Sequence, residues 1–154
     1  MLVSDNLNEV LKAGLSQIPA NSRISKLVKE VMSWSEESNN WLEVWEMVEN
    51  HYGEYHGVHT LPNLAYVLIA LLKGEMDFRK TVALAVMCGK DTDCNGATAG
   101  SIIGALLGKE AIPRDMVAPL NDLVKSAVFG YCQVRISVLV QATIEALQKN
   151  FLMQ

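Results

Sequence analysis

Apolar residues recur at three- and four-residue intervals along almost the whole chain, and this most constrains what it can fold into. Leu7, Val10, Leu11, Leu15 and Ile18 keep that spacing, as do Ile24, Leu27, Val28 and Val31. Trp41, Val44, Trp45 and Val48 form a third set, and Leu64, Val67, Leu68, Leu71 and Leu72 a fourth. A repeat of about 3.6 residues places one apolar stripe on one helix face, whereas a half-buried strand alternates with period two. No alternation of strand length stands outside these segments. The expected fold is therefore all-α, a single-domain helical bundle of about seven or eight helices over residues 1–154.

Capping residues punctuate the stripes. Asp5 or Asn6 can open the first helix, which Pro19 closes, and Asn21 or Ser22 can open the second. The polar run SEESNN separates it from the tryptophan helix, and Gly53 and Gly57 bracket an irregular loop, HYGEYHGVHT. Pro62 suits the first turn of a fourth helix that Gly74 ends, and Asp77 opens a fifth that Gly89 stops. A sixth spans about Thr92 to Leu107. Pro113 starts a seventh, broken at Gly130, and an eighth covers roughly Arg135 to Lys149.

Composition limits the classes of function. Half of the residues are hydrophobic, 19% are charged and the formal net charge is −4. Such a chain has a core to bury and is not disordered. No more than two cations stand together, which argues against a nucleic-acid groove. Cys88, Cys94 and Cys132 make an odd count with no C-x-x-C pair, so a disulfide framework is not expected. The N-terminal residues lack a basic stretch followed by an apolar run, and the charge-poor stretch Cys94–Gly108 is too short to cross a bilayer. A cytoplasmic protein with no membrane partner is expected.

Chemistry concentrates where the sixth helix begins. The run Gly89-Lys90-Asp91-Thr92-Asp93-Cys94-Asn95-Gly96 places two carboxylates two residues apart. Either aspartate could cap the helix and complement its dipole. The two together repel each other unless a cation or solvent intervenes, and hard cations favour such oxygen ligands. Capping and metal binding both remain open on this local pattern. A calcium loop of the EF-hand type does not fit, because its twelfth position, which requires a bidentate glutamate, is Ile102. Gly96, Gly100, Gly104 and Gly108 then follow at every fourth residue. Each costs a helix interior about 1 kcal/mol against alanine. The spacing traces one smooth ridge onto which another helix can pack closely, and a helix so locked holds its N-terminus rigidly.

The other polar candidates are less specific. His51, His56 and His59 gather around one loop, but with Cys88 or Cys94 they match no common zinc spacing. His59 and Asn63 either line a cleft or pin the loop to a helix. Trp41 and Trp45, four apart, read as core rather than as a stacking platform.

The stretch MCGKDTDCNGATAGSIIGALLG, Met87 to Gly108, resembles the C-terminal signature of the ADP-ribosylglycohydrolase family, which is also named for crystallin J1 and dinitrogenase-reductase-activating members. SQIPANSRISKLVKEVMSW, HYGEYHGVHTLPNLAYVLIALLKG, IPRDMVAPLNDLV and the segment from Gly130 to Leu147 resemble its bacterial branch. The resemblance implies an all-α fold, corresponding here to the C-terminal half of the family fold, and a pair of magnesium ions in a cleft. It carries metal ligation onto Asp91 and Asp93. Many members follow the second aspartate with a threonine ligand, where this chain has Cys94, a poor ligand for a hard cation. Asn95 or water could substitute, and His59 and Asn63 fall in a matching family segment.

The family's remaining ligands come from an N-terminal T-D-D run preceded by a G-D-A-x-G-type segment, and neither occurs in this sequence. The expectation is a chain that begins where its relatives' second half would. Two functions follow. One is magnesium-dependent hydrolysis of the glycosidic bond of ADP-ribosylated substrates, incomplete without an N-terminal half. The alternative is a non-catalytic helical oligomerisation or interaction module derived from the family. The expected partners are a second copy of the chain, as a homodimer, or the missing N-terminal half, with an ADP-ribose-containing ligand.

Overall fold

The computed structural model describes residues 4–151. They form two compact units, Met1–Ile112 and Pro113–Gln154. The first holds six helices: α1 (Leu7–Ser16), α2 (Arg23–Glu37), α3 (Trp41–Tyr52), α4 (Thr60–Lys73), α5 (Phe78–Met87) and α6 (Thr92–Leu107). The second holds one helical turn, α7 (Arg114–Val117), a hairpin of β1 (Leu123–Lys125) and β2 (Gln133–Arg135), and α8 (Ile136–Phe151). The fold is all-α with a minor two-stranded sheet. Among the described residues no helix is long and apolar enough to cross a membrane.

Side-chain caps start the first five helices. Asn6, Ser22, Asn40, His59 and Asp77 each accept a backbone N–H from the first turn of α1 to α5. Such a bond satisfies one of the amides that a helix start leaves without a partner. The polar run SEESNN is divided between structures, because α2 continues through Glu37 before Asn40 caps α3.

The central element is α4, which packs against α2, α3, α5 and α6. Ten of its residues are buried, from Leu61 to Leu71. One core cluster joins Leu27, Val31, Val44, Val48, Tyr66 and Ile69, with Trp34, Trp41 and Trp45 packed around it. A second joins Val67, Ala70, Leu71, Leu84, Ala99 and Ile103. The apolar stripes of α2 and α3 are thus spent on this core.

The glycine ridge of α6 meets α5. A Cβ on Gly96 would stand 3.1 Å from Val86, one on Gly100 3.4 Å from Val82, and one on Gly104 3.3 Å from Phe78. Gly108 does not extend the ridge. It is the C-cap, with φ of 78°, and ends the helix in a conformation that side chains disfavour. These distances predict opposite outcomes at one position. Gly100→Ala adds an ordinary contact and should raise stability by up to about 1 kcal/mol through helix propensity. Gly100→Leu should drive its side chain into Val82 and Phe78 and lower stability by about 1–3 kcal/mol. Urea unfolding of both variants checks the pair. Equal stability for the two would mean that the ridge has no close neighbour.

The seventh helix differs from its sequence expectation. It lasts one turn, a 3-10 turn at Ala118–Leu120 follows, and Asn121 and Asp122 adopt left-handed φ values of 49° and 55°. Two consecutive left-handed residues turn the chain out of the helix and into the hairpin. There Val124 pairs with Val134. Ser137, at the start of α8, donates to the Asp122 carboxylate through both its amide and its hydroxyl.

Candidate functional site

Cys88 closes α5, and Gly89 and Lys90 then take φ values of 91° and 53° before α6 begins. This left-handed pair reverses the chain between two helices held together by the glycine ridge. The turn is anchored from several sides. The Trp45 indole N–H donates to the Cys88 carbonyl at 2.9 Å. The Lys90 ammonium donates to the carbonyls of Gly53 at 2.7 Å and Tyr55 at 3.3 Å.

Asp91, Asp93 and Cys94 come together at the start of α6, each offering a ligand atom within 4.8 Å of the others. It is the one such cluster among the described residues. Asp91 is half-buried, whereas Asp93 and Cys94 are exposed. Asp91 occupies the N-cap position, yet its side chain makes no capping bond. That separates it from the caps of α1 to α5, so the capping explanation of this carboxylate fails. Interaction with the Asp91 carboxylate, and more weakly with that of Asp93, holds the Cys94 thiol above the usual thiol range. A thiol so held stays protonated near neutral pH, and the thiolate is the form that ligates metals.

The donor set tests the fit to a cation. Two carboxylates and a protonated thiol suit a hard, oxygen-seeking ion through the carboxylates, and they supply only part of the six or more oxygens such an ion takes. Asn95 is buried behind the carboxylates, with its side-chain amide donating to Asn63 Oδ1 at 2.8 Å. His59 caps α4 through Nδ1 and lies against Tyr55, with ring centroids 4.4 Å apart. Asn63 is buried and ties the 57–59 loop to the start of α6. His51 bonds the Met47 carbonyl and His56 accepts from the Val58 amide, so each of the three histidines is used within its own segment.

Two contributors escape a reading of the sequence. Trp45 follows the core spacing, and nothing in that spacing marks its indole N–H as a support for Cys88. Lys90 adopts a backbone conformation that lysine seldom takes, and only the glycine before it hints at a turn.

An all-helical body with paired aspartates at the head of a glycine-ridged helix defines the class to which the chain is assigned. The family model for ADP-ribosylglycohydrolase matches residues 1–151, and the chain belongs to that family. Neither a curated protein nor a solved structure gave a match. Membership carries the general function of the family.

Proposed function

We propose that this chain supplies the Asp91–Asp93 part of a magnesium site in an enzyme that hydrolyses the glycosidic bond of ADP-ribosylated substrates. The observation that carries the reading is the Asp91 carboxylate, set at the head of α6 beside Asp93 and unused by the helix. When bound, a divalent cation supplies electrostatic polarisation of the sugar at the reacting centre. Asp91 and Asp93 would hold it, and Asn95 backs the turn from the core. The remaining oxygen ligands and the acid/base group come from outside this sequence, contributed by an N-terminal half. A cytoplasmic setting is part of the same proposal.

Titration of the whole chain with Mn2+, followed by calorimetry or electron paramagnetic resonance, tests it. Binding should be weak, about millimolar, because few oxygens offset dehydration of the ion. Asp93→Asn should weaken it by at least about tenfold, since a charged ligand is removed. Identical titrations for the two chains would leave the pair as a solvated helix start. The chain alone should show no sustained turnover of an ADP-ribosylated substrate. Turnover abolished by Asp93→Ala would show instead that the site is complete within this sequence.

The alternative reading, an interaction module, is favoured by the second unit. Phe129 is 98% exposed, and Val128, Tyr131, Val138, Val140 and Ile144 are exposed with it. Apolar surface of this kind marks association sites, and a second copy of the chain is the proposed partner there.

A further inference from the structure

Asn63 is the fourth residue of α4, far in sequence from the paired aspartates, and it is 8% exposed. Its amide uses its full hydrogen-bonding capacity. Nδ2 donates to the carbonyls of Gly57 at 2.7 Å and His59 at 2.9 Å. Oδ1 accepts from the Asp91 amide at 3.2 Å and from Asn95 Nδ2 at 2.8 Å. The orientation of the amide is fixed by its backbone partners, because a carbonyl can only accept and an N–H can only donate.

We propose that Asn63 is the positioning residue of the carboxylate pair: it joins the loop before α4 to the first residues of α6 and thereby sets the direction of Asp91. This rests on the reading of Asp91 and Asp93 as metal ligands. Three features carry it. Asp91 forms no cap bond of its own, so the helix does not orient it. Its backbone N–H reaches a side chain of another helix instead. Asn95, one turn further on, is drawn to the same oxygen, so two points of the α6 start are fixed by a single atom. Partners behind first ligands orient those ligands, and their loss typically costs about 10–100-fold in metal affinity. Two substitutions divide what this amide does. Leucine matches its shape with no polar group, and aspartate keeps the acceptor but cannot donate to Gly57 and His59.

That last difference separates positioning from mere folding. Amide hydrogen exchange, read by NMR without metal, comes first. In the wild-type chain the Asp91 amide should be protected, and exchange at the rate of an exposed coil would overturn the inference however the variants fold. Asn63→Asp should keep that protection, and Asn63→Leu should lose it while amides in the middle of α4 stay protected. Mn2+ titration of the same proteins comes second. Asn63→Leu should bind at least about tenfold more weakly than wild type, while Asn63→Asp binds as well or better. A lower melting temperature for Asn63→Leu with unchanged Mn2+ affinity would show a structural role alone and overturn the proposal. If the wild-type chain binds no Mn2+, the metal reading fails and the positioning role fails with it. A protected Asp91 amide would then mark only a fixed turn.

Discussion

Ile69→Ala should lower the unfolding free energy by about 2–5 kcal/mol, the range for emptying a fully buried aliphatic site. Ile69 has no exposed surface and lies on α4, the helix against which α2, α3, α5 and α6 all pack. A cavity there is lined by residues from several helices, and relaxation of one of them cannot fill it. For a chain of this size the loss corresponds to a fall in Tm of about 5–15 °C. Trp34, Trp41 and Trp45 surround the same cluster, so tryptophan fluorescence reports the transition of this unit directly. Val58→Ala is the control, at a side chain 68% exposed, and should change stability by less than about 0.5 kcal/mol. A loss below about 1 kcal/mol at Ile69 would mean that α4 is not the common core of the four helices.

The second large effect is a loss of stability in alkali. Burial, with the nearby charge of Glu49, pushes the Cys88 thiol from its ordinary 9.0 up to about 12. The folded chain therefore keeps a proton that the unfolded chain releases. Stability from this source is fully present below pH 9 and is lost as pH rises toward 12, at about 1.4 kcal/mol per unit. The total is about 3–4 kcal/mol across the window. Two tyrosines add to it above pH 10. Tyr52 is raised to about 12 by burial and its hydrogen bond to Glu30, and Tyr66 is raised by burial and its bond to Glu49. Urea unfolding at pH 7, 9, 10 and 11 should show the decline, and Cys88→Ala should flatten its first unit. An equal slope in that variant would show that the thiol ionises in the folded chain.

Much of the fold was legible because its determinants are local. The caps at Asn6, Ser22 and Asp77, the stop at Gly89 and the ridge at Gly96, Gly100 and Gly104 each act within a few residues of where they stand. The hairpin was not legible. Val117, Leu120 and Val124 keep a helical spacing, and three-residue strands are too short to display alternation. The left-handed Asn121 and Asp122 override the spacing. The site divides in the same way. Asp91 and Asp93 announce themselves by their proximity in sequence. The partners of Asn63, and the carbonyls that hold Lys90, belong to other helices and loops. A lone asparagine or lysine carries no mark of which distant backbone it will meet.

The pairing of α5 with α6 has a kinetic consequence. Val86 meets Gly96 nearest the turn, Val82 meets Gly100 farther out and Phe78 meets Gly104 farther still. The paired residues are 10, 18 and 26 apart in sequence (96 − 86, 100 − 82, 104 − 78), and the entropy of closure rises slowly with loop length. The helix pair can therefore zip outward from its turn, each contact shortening the loop that the next one has to close. Asp91 and Asp93 sit at the point where the zipper starts. The two carboxylates are neighbours in any state of the chain, whereas the contact that sets their direction reaches Asn63, 28 residues away, so proximity comes with the sequence and aim only with the fold.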